Sequence, residues 1–299
     1  MTWLLVVLGG HLANAGAFII DKILLAKRVP HPAVYAFYIG LLNMLVLIWL
    51  PFADFNIPPL YTLTQSALSG SFFVVALICF FTALKHGETS RVVPVVGGLI
   101  PIFTFGFAKF FLGEDLIGWQ WWGILLLIGG AIFISYEEPV NGTPWRRTEV
   151  ISSILAALFF AFSTTLTKAV FRDTEFFNGL IWTRIFAFLT SVSLLAIPFV
   201  RAAVLGRGQE DSERPSRLFF IGQTMGGLGF FLLAVALKLA PQVTIVNALQ
   251  GVQYAFLFLL VIFFSRFAPN ILREELSRRQ IIRKTWALLC LAVGLILVA

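Results

Sequence analysis

The chain has 299 residues, 59% of them hydrophobic and only 12% charged, with a mean hydropathy of +0.91. Soluble domains carry about a quarter charged residues and about 45–50% apolar ones, so this composition excludes an ordinary soluble enzyme, a disordered chain and a disulfide-stapled secreted domain. The net charge of +7 does not point to nucleic acid either, because the bases fall between long apolar runs, the pattern by which membrane proteins set their orientation.

About 20 mainly apolar residues make a membrane span, and on that rule ten helices are expected, near 3–25, 33–51, 66–85, 92–112, 118–136, 149–170, 177–199, 217–238, 242–265 and 284–299. Met1–Leu25 lacks a basic stretch before its apolar run, so it reads as a retained first span rather than a signal peptide. Turn chemistry separates the spans at Pro30-His31-Pro32, Pro58-Pro59, Gly113-Glu114-Asp115, Asn141-Gly142-Thr143-Pro144 and Gly206–Pro215. Cys79 and Cys290 lie inside apolar runs and read as small hydrophobes.

Short matches recur in the same order through both halves. Ala83-Leu84-Lys85 returns as Ala236-Leu237-Lys238, and Leu112-Gly113-Glu114-Asp115-Leu116 as Leu272-Arg273-Glu274-Glu275-Leu276. Trp122-Gly123 returns as Trp286-Ala287, Gly130 as Gly294, and Lys22 is matched by Lys168. Two five-span repeats are therefore expected, 1–138 and 149–299, joined by a loop at 139–148. Five is odd, so the second repeat must insert upside down, an arrangement common among secondary transporters. Connections after the odd spans, counted with the span ends that border them, hold 17 Lys and Arg against 3 for the even ones. That bias places the odd connections in the cytoplasm and both termini outside.

Residues 83–136 carry Ser90, Pro94, Pro101, Leu112-Gly113-Glu114, Gln120, Gly123 and Gly129-Gly130. This stretch resembles the EamA-type repeat of the drug/metabolite transporter superfamily. The resemblance extends over the chain as ten spans, strongly in the first half and weakly in the second. Asn247 and Tyr254 stand where the second repeat would have its prolines, and Arg273 replaces the turn glycine. The resemblance implies a carrier with a cavity between its two halves, without naming a substrate.

Ionisable groups inside spans are costly and need a partner or a function. His11 and Asn14, three residues apart on one helical face, read as a proton-competent pair lining a cavity or as interhelical glue. Asp21 reads as a proton or cation site, or as half of a structural ion pair, while neighbouring Lys22 can snorkel to the interface. Arg91 and Lys109 lie about 27 Å apart along one helix and cannot share a site; Arg91 can serve a substrate or pair with Glu88. Between them, Pro94, Gly97, Gly98 and Pro101 suit either a bending helix or close helix packing. In the second half Lys168 matches Lys22, and Arg184 lies deep in span seven, where its donor fork suits a carboxylate, a phosphate or a structural acid. Asn247, Gln250 and Tyr254 fall on one face of span nine, a polar stripe expected to line a cavity.

No zinc-helix, nucleophile-elbow or phosphate-loop motif occurs, so no enzyme, catalytic residue, metal or cofactor is expected. The expected protein is an all-α, multi-pass carrier in the cytoplasmic membrane. It moves a small polar or zwitterionic metabolite, with export as its expected mode and proton coupling left open. Its partners are that small-molecule substrate and the lipid bilayer, with no nucleic acid, and a homodimer stays open. A flippase for a lipid-linked substrate and a non-transporting assembly partner remain the alternatives.

Overall fold

The computed structural model describes residues 2–24, 32–86, 89–116, 118–135, 146–204, 217–267 and 278–298. Among them there is no strand; every regular element is helical. In order these are α1 (Thr2–Leu24), α2 (Pro32–Leu42) running into a 3-10 stretch (Asn43–Phe52), α3 (Leu60–His86), α4 (Thr89–Leu112), α5 (Gln120–Ser135), α6 (Arg147–Asp173) and α7 (Phe176–Ser193). There follow α8 (Pro198–Val204), α9 (Arg217–Leu239), α10 (Val243–Ala248), α11 (Gln250–Phe267) and α12 (Arg278–Val298). Hydrocarbon offers no water to unsatisfied backbone groups, so long apolar runs must close their hydrogen bonds within a helix. Seven of the described spans are long and apolar enough to cross a membrane, and Gln120–Phe133 and Thr224–Leu239 are shorter apolar helices. Large apolar side chains stand on the outside, such as Phe110 at 82% exposed and Ile296 at 74%, which suits a lipid surface rather than water.

Four expected spans differ in detail. Span seven, expected through 199, ends its α winding at Ser193, and a separate α8 begins at Pro198 after extended Ile197. Span two changes from α to 3-10 winding at Asn43, whose Nδ2 donates to the Ile39 carbonyl at 3.1 Å. Span nine is interrupted at Leu249, between α10 and α11, where the Val252 N–H bonds the Leu249 carbonyl one residue short of α-helical spacing. Conversely, α4 runs unbroken through both Pro94 and Pro101. Pro94 and Pro101, which suit either a bending helix or close packing, do not interrupt α4, whereas span nine breaks without a proline.

The helices group into two compact units that interleave along the chain. One comprises Met1–Val29, Asp115–Glu138 and Arg214–Ala299, the other Pro30–Glu114 and Pro139–Glu213. In the first unit α1 packs on α9 and α11, and α5 packs on α12. A Cβ added at Gly10 would lie 3.1 Å from the Gly229 carbonyl, and one at Gly229 would lie 2.9 Å from the Gly10 carbonyl. The α5–α12 contact is equally close: a Cβ at Gly123 would meet the Gly294 carbonyl at 3.0 Å, and one at Gly294 the Gly123 carbonyl at 2.9 Å. Gly130 lies against Ala287 in the same pair. Residue numbers rise along α5 as they fall along α12, so the two helices run antiparallel. Small residues let helix backbones approach where no hydrophobic force drives them together.

In the second unit α6 packs on α3 and α4, and α3 on α7. Two Ser hydroxyls cross between α3 and α6: Ser69 Oγ donates to the Ser163 carbonyl at 3.0 Å, and Ser163 Oγ to the Ser69 carbonyl at 2.9 Å. Ala83, Val92, Val96, Ile100, Ala156 and Ala157 form the apolar core beside them.

Candidate functional site

The polar side chains buried in the first unit collect on α1, α10 and α11. His11 is 3% exposed, and its Nδ1 lies 3.1 Å from Gln253 Oε1. An amide oxygen only accepts, so Nδ1–H donates, and in the neutral ring Nε2 is left as an acceptor. Nε2 has no hydrogen-bond partner among the described residues. Apolar packing fixes the ring: Val7 and Ala15, one turn to either side of His11 on α1, are wholly buried.

Asn14 is half-buried and lies against Gly229 of α9. Asn247 and Gln250, also half-buried, stand on either side of the Leu249 interruption, and Tyr254 is buried one turn on. One turn before Asn247, Thr244 Oγ1 is buried without a partner among the described residues. An interrupted span leaves backbone groups outside the regular ladder, and in transporters such breaks coincide with solute sites.

The candidates of the second unit lie apart from this cluster in the chain. Arg184, 6% exposed on α7, directs Nη1 toward Asn43 Oδ1 at 3.4 Å and places its guanidinium 5.0 Å from the centre of the Phe73 ring on α3. The long bond is weak, whereas the ring face contributes a cation–π contact. Lys168 is 4% exposed on α6. Asp21 and Arg91 have helical backbones in α1 and α4, and their side chains lie outside the described residues.

Three residues escaped the sequence reading. Gln253 was visible as a polar residue of span nine, but it falls off the 247–250–254 face, and only the position of α1 makes it a partner. Asn43 sits where winding changes from α to 3-10, which no local pattern signals. Glu149 is 1% exposed in the first turn of α6, where Oε2 accepts the Arg146 N–H at 3.4 Å.

These features define a multi-pass helical membrane protein with amide, hydroxyl and imidazole groups buried among apolar helices. Residues 1–136 match the EamA-like transporter family, part of the drug/metabolite transporter superfamily, in agreement with the resemblance carried by residues 83–136. A solved crystal structure of a protein is similar in fold, with a TM-score of 0.69 at 15% identity, over 99% of this chain and 96% of that one. No curated protein matches the chain.

Proposed function

We propose that the chain is a secondary carrier that moves a small polar or zwitterionic metabolite outward across the cytoplasmic membrane by alternating access, coupled to protons. The buried His11–Gln253 pair carries this reading. An imidazole and an amide deep in apolar helices are costly, and Nε2 is left to accept a proton or a solute hydrogen bond. The interruption of span nine beside Asn247 and Gln250 leaves backbone groups outside the regular helical ladder of the same unit. Arg184 supplies a donor fork suited to a carboxylate or phosphate.

Two inverted repeats, 1–138 and 149–299, underlie the proposed architecture. The antiparallel α5–α12 contact supports it, because Gly123 meets Gly294 while Gly130 meets Ala287. Each contact thus joins a residue to the repeat counterpart of the other's position, as a two-fold pseudo-symmetry requires.

Counterflow in proteoliposomes tests the function. Vesicles preloaded with unlabelled solute should accumulate the labelled form, across a panel of amino acids, sugar phosphates and nucleotide sugars. An outwardly directed pH gradient should change the rate. If no solute in the panel exchanges above empty liposomes, the carrier reading is wrong.

A further inference from the structure

An open apolar groove of about 410 Å³ runs along the first unit between α1, α9 and α11. Its floor is the face of α1 formed by Gly9, Ala13 and Gly16, and its walls include Met225 of α9 with Leu260 and Phe264 of α11. Leu12 and Leu228, at 46% and 53% exposed, form its rim. The second unit contains the counterpart of this three-helix contact. The repeat offsets that match Lys22 with Lys168 and Lys85 with Lys238 put Phe159 at the position of Ala13, Phe162 at Gly16, Phe72 at Met225, Phe107 at Leu260 and Phe111 at Phe264.

Those five rings fill the equivalent space. Phe72 stacks on Phe159 at 5.4 Å and meets Phe162 edge-on at 4.9 Å, and Phe107 and Phe111 close on Phe162 at 5.0 and 5.5 Å. In one copy of the packing motif phenylalanine rings pack on one another, where Ala13 and Gly16 leave the other copy open. Helix packing does not require the opening.

Every residue lining the groove is apolar, so it matches an acyl chain rather than a polar solute. Its end also carries charge. The lining stops at Ile20 on α1 and Phe264 on α11, two residues before Lys22 and before exposed Arg266. Antiparallel α9 begins at Arg217 at this same end. Asp21 is the one acid of these three helices, so the three helix ends carry a net charge of about +2. We infer that this groove holds one acyl chain of an anionic phospholipid, whose headgroup phosphate is bound at the end where exposed Arg266 closes α11. This inference is independent of the transport reading: a lipid can occupy the groove whether or not a solute moves.

Native mass spectrometry of the detergent-purified full chain tests it, with palmitoyl-oleoyl phosphatidylglycerol and palmitoyl-oleoyl phosphatidylcholine as probes. The phosphatidylglycerol should be retained in preference, by about fivefold for each base that reaches the headgroup. Ala13→Phe, which installs the filling residue of the other unit, should reduce retention of both lipids to the background of a flat surface. Gly9→Leu is the second groove-filling variant, since an added Cβ there meets only Leu232 at an ordinary 3.7 Å; it decides the matter if Ala13→Phe does not fold. Arg266→Gln should lower phosphatidylglycerol retention about fivefold and leave phosphatidylcholine unchanged. Equal retention of the two lipids by the wild-type chain, or full retention in a folded groove-filling variant, overturns the proposal. So does a groove-filling variant that converts a dimer to a monomer with lipid retention intact, which would make a second copy of the chain the occupant.

Discussion

Arg172 holds Glu114 across the turn that follows α4. Its Nη2 donates to Glu114 Oε1 at 2.7 Å, while Nη1 donates to the Leu112 carbonyl at 2.8 Å. Gly113 between them has a φ of +64°, the left-handed conformation that glycine adopts without a Cβ clash, and the Glu114 N–H returns to the Ala108 carbonyl at 3.1 Å. The Leu-Gly-Glu sequence thereby ends α4, and one guanidinium from the end of α6 fastens it.

Arg172→Ala should therefore lower stability. Glu114 is 6% exposed and would keep a nearly buried carboxylate without this partner, whereas Arg172 is 41% exposed and its pairing is partly screened. The expected loss is about 1–2 kcal/mol, below that of a fully buried pair. Thermal unfolding in detergent measures it. Glu114→Gln, which keeps an acceptor, should cost less than Arg172→Ala, and an unchanged melting temperature for both would show the clamp to be idle.

The turn itself was legible in the sequence, because Gly113 and its neighbours follow local rules of helix ending. Arg172 was not, since nothing near position 172 indicates that it faces residue 114. The same divide runs through the rest of the chain. Apolar run lengths locate the helices because a span must be about 20 residues long. They do not reveal the interruption at Leu249: Asn247 and Gly251 beside it are poor helix formers, but a run of about 20 apolar residues reads as one span whatever its winding. His11 was legible as a costly polar residue, but its partner required knowing which face of α11 meets α1.

Gly294→Val should weaken the α5–α12 contact. The added Cβ would stand 2.9 Å from the Gly123 carbonyl, a backbone atom that moves only with its helix. Overpacking of this kind costs about 1–3 kcal/mol. Gly129→Val on α5 provides the control, because nothing lies within 4 Å of the position its Cβ would take. Equal melting temperatures for the two variants would contradict the close approach.

Gln253→Leu removes the acceptor of a buried imidazole N–H, so it should cost about 1–3 kcal/mol of stability. Adding His11→Leu removes the stranded donor as well. The counterpart positions in the other unit, Ala157 and Ile100, already belong to one apolar cluster. The double variant should accordingly regain much of the lost stability while transport falls. Strictly additive losses in melting temperature would argue that His11 and Gln253 do not act as a pair, and normal transport by a well-folded double variant would remove both from the solute path.

Arg184→Lys separates a solute-binding role from a structural one. Lysine keeps the positive charge but loses the planar fork and most of the stacking over Phe73. If the fork serves the solute, the charge that lysine keeps should hold the melting temperature without solute to within the equivalent of about 1 kcal/mol. Affinity for the transported solute should fall by about 1–3 kcal/mol, the worth of a charge-assisted hydrogen bond to a carboxylate or phosphate. The paired measurements are the melting temperature of the solute-free protein and the solute dissociation constant in proteoliposomes. A large fall in melting temperature with affinity intact in the surviving molecules would make Arg184 a post between α7, α3 and the 3-10 stretch. No change in either would exclude the guanidinium from both roles, and with it the anionic group assigned to the solute.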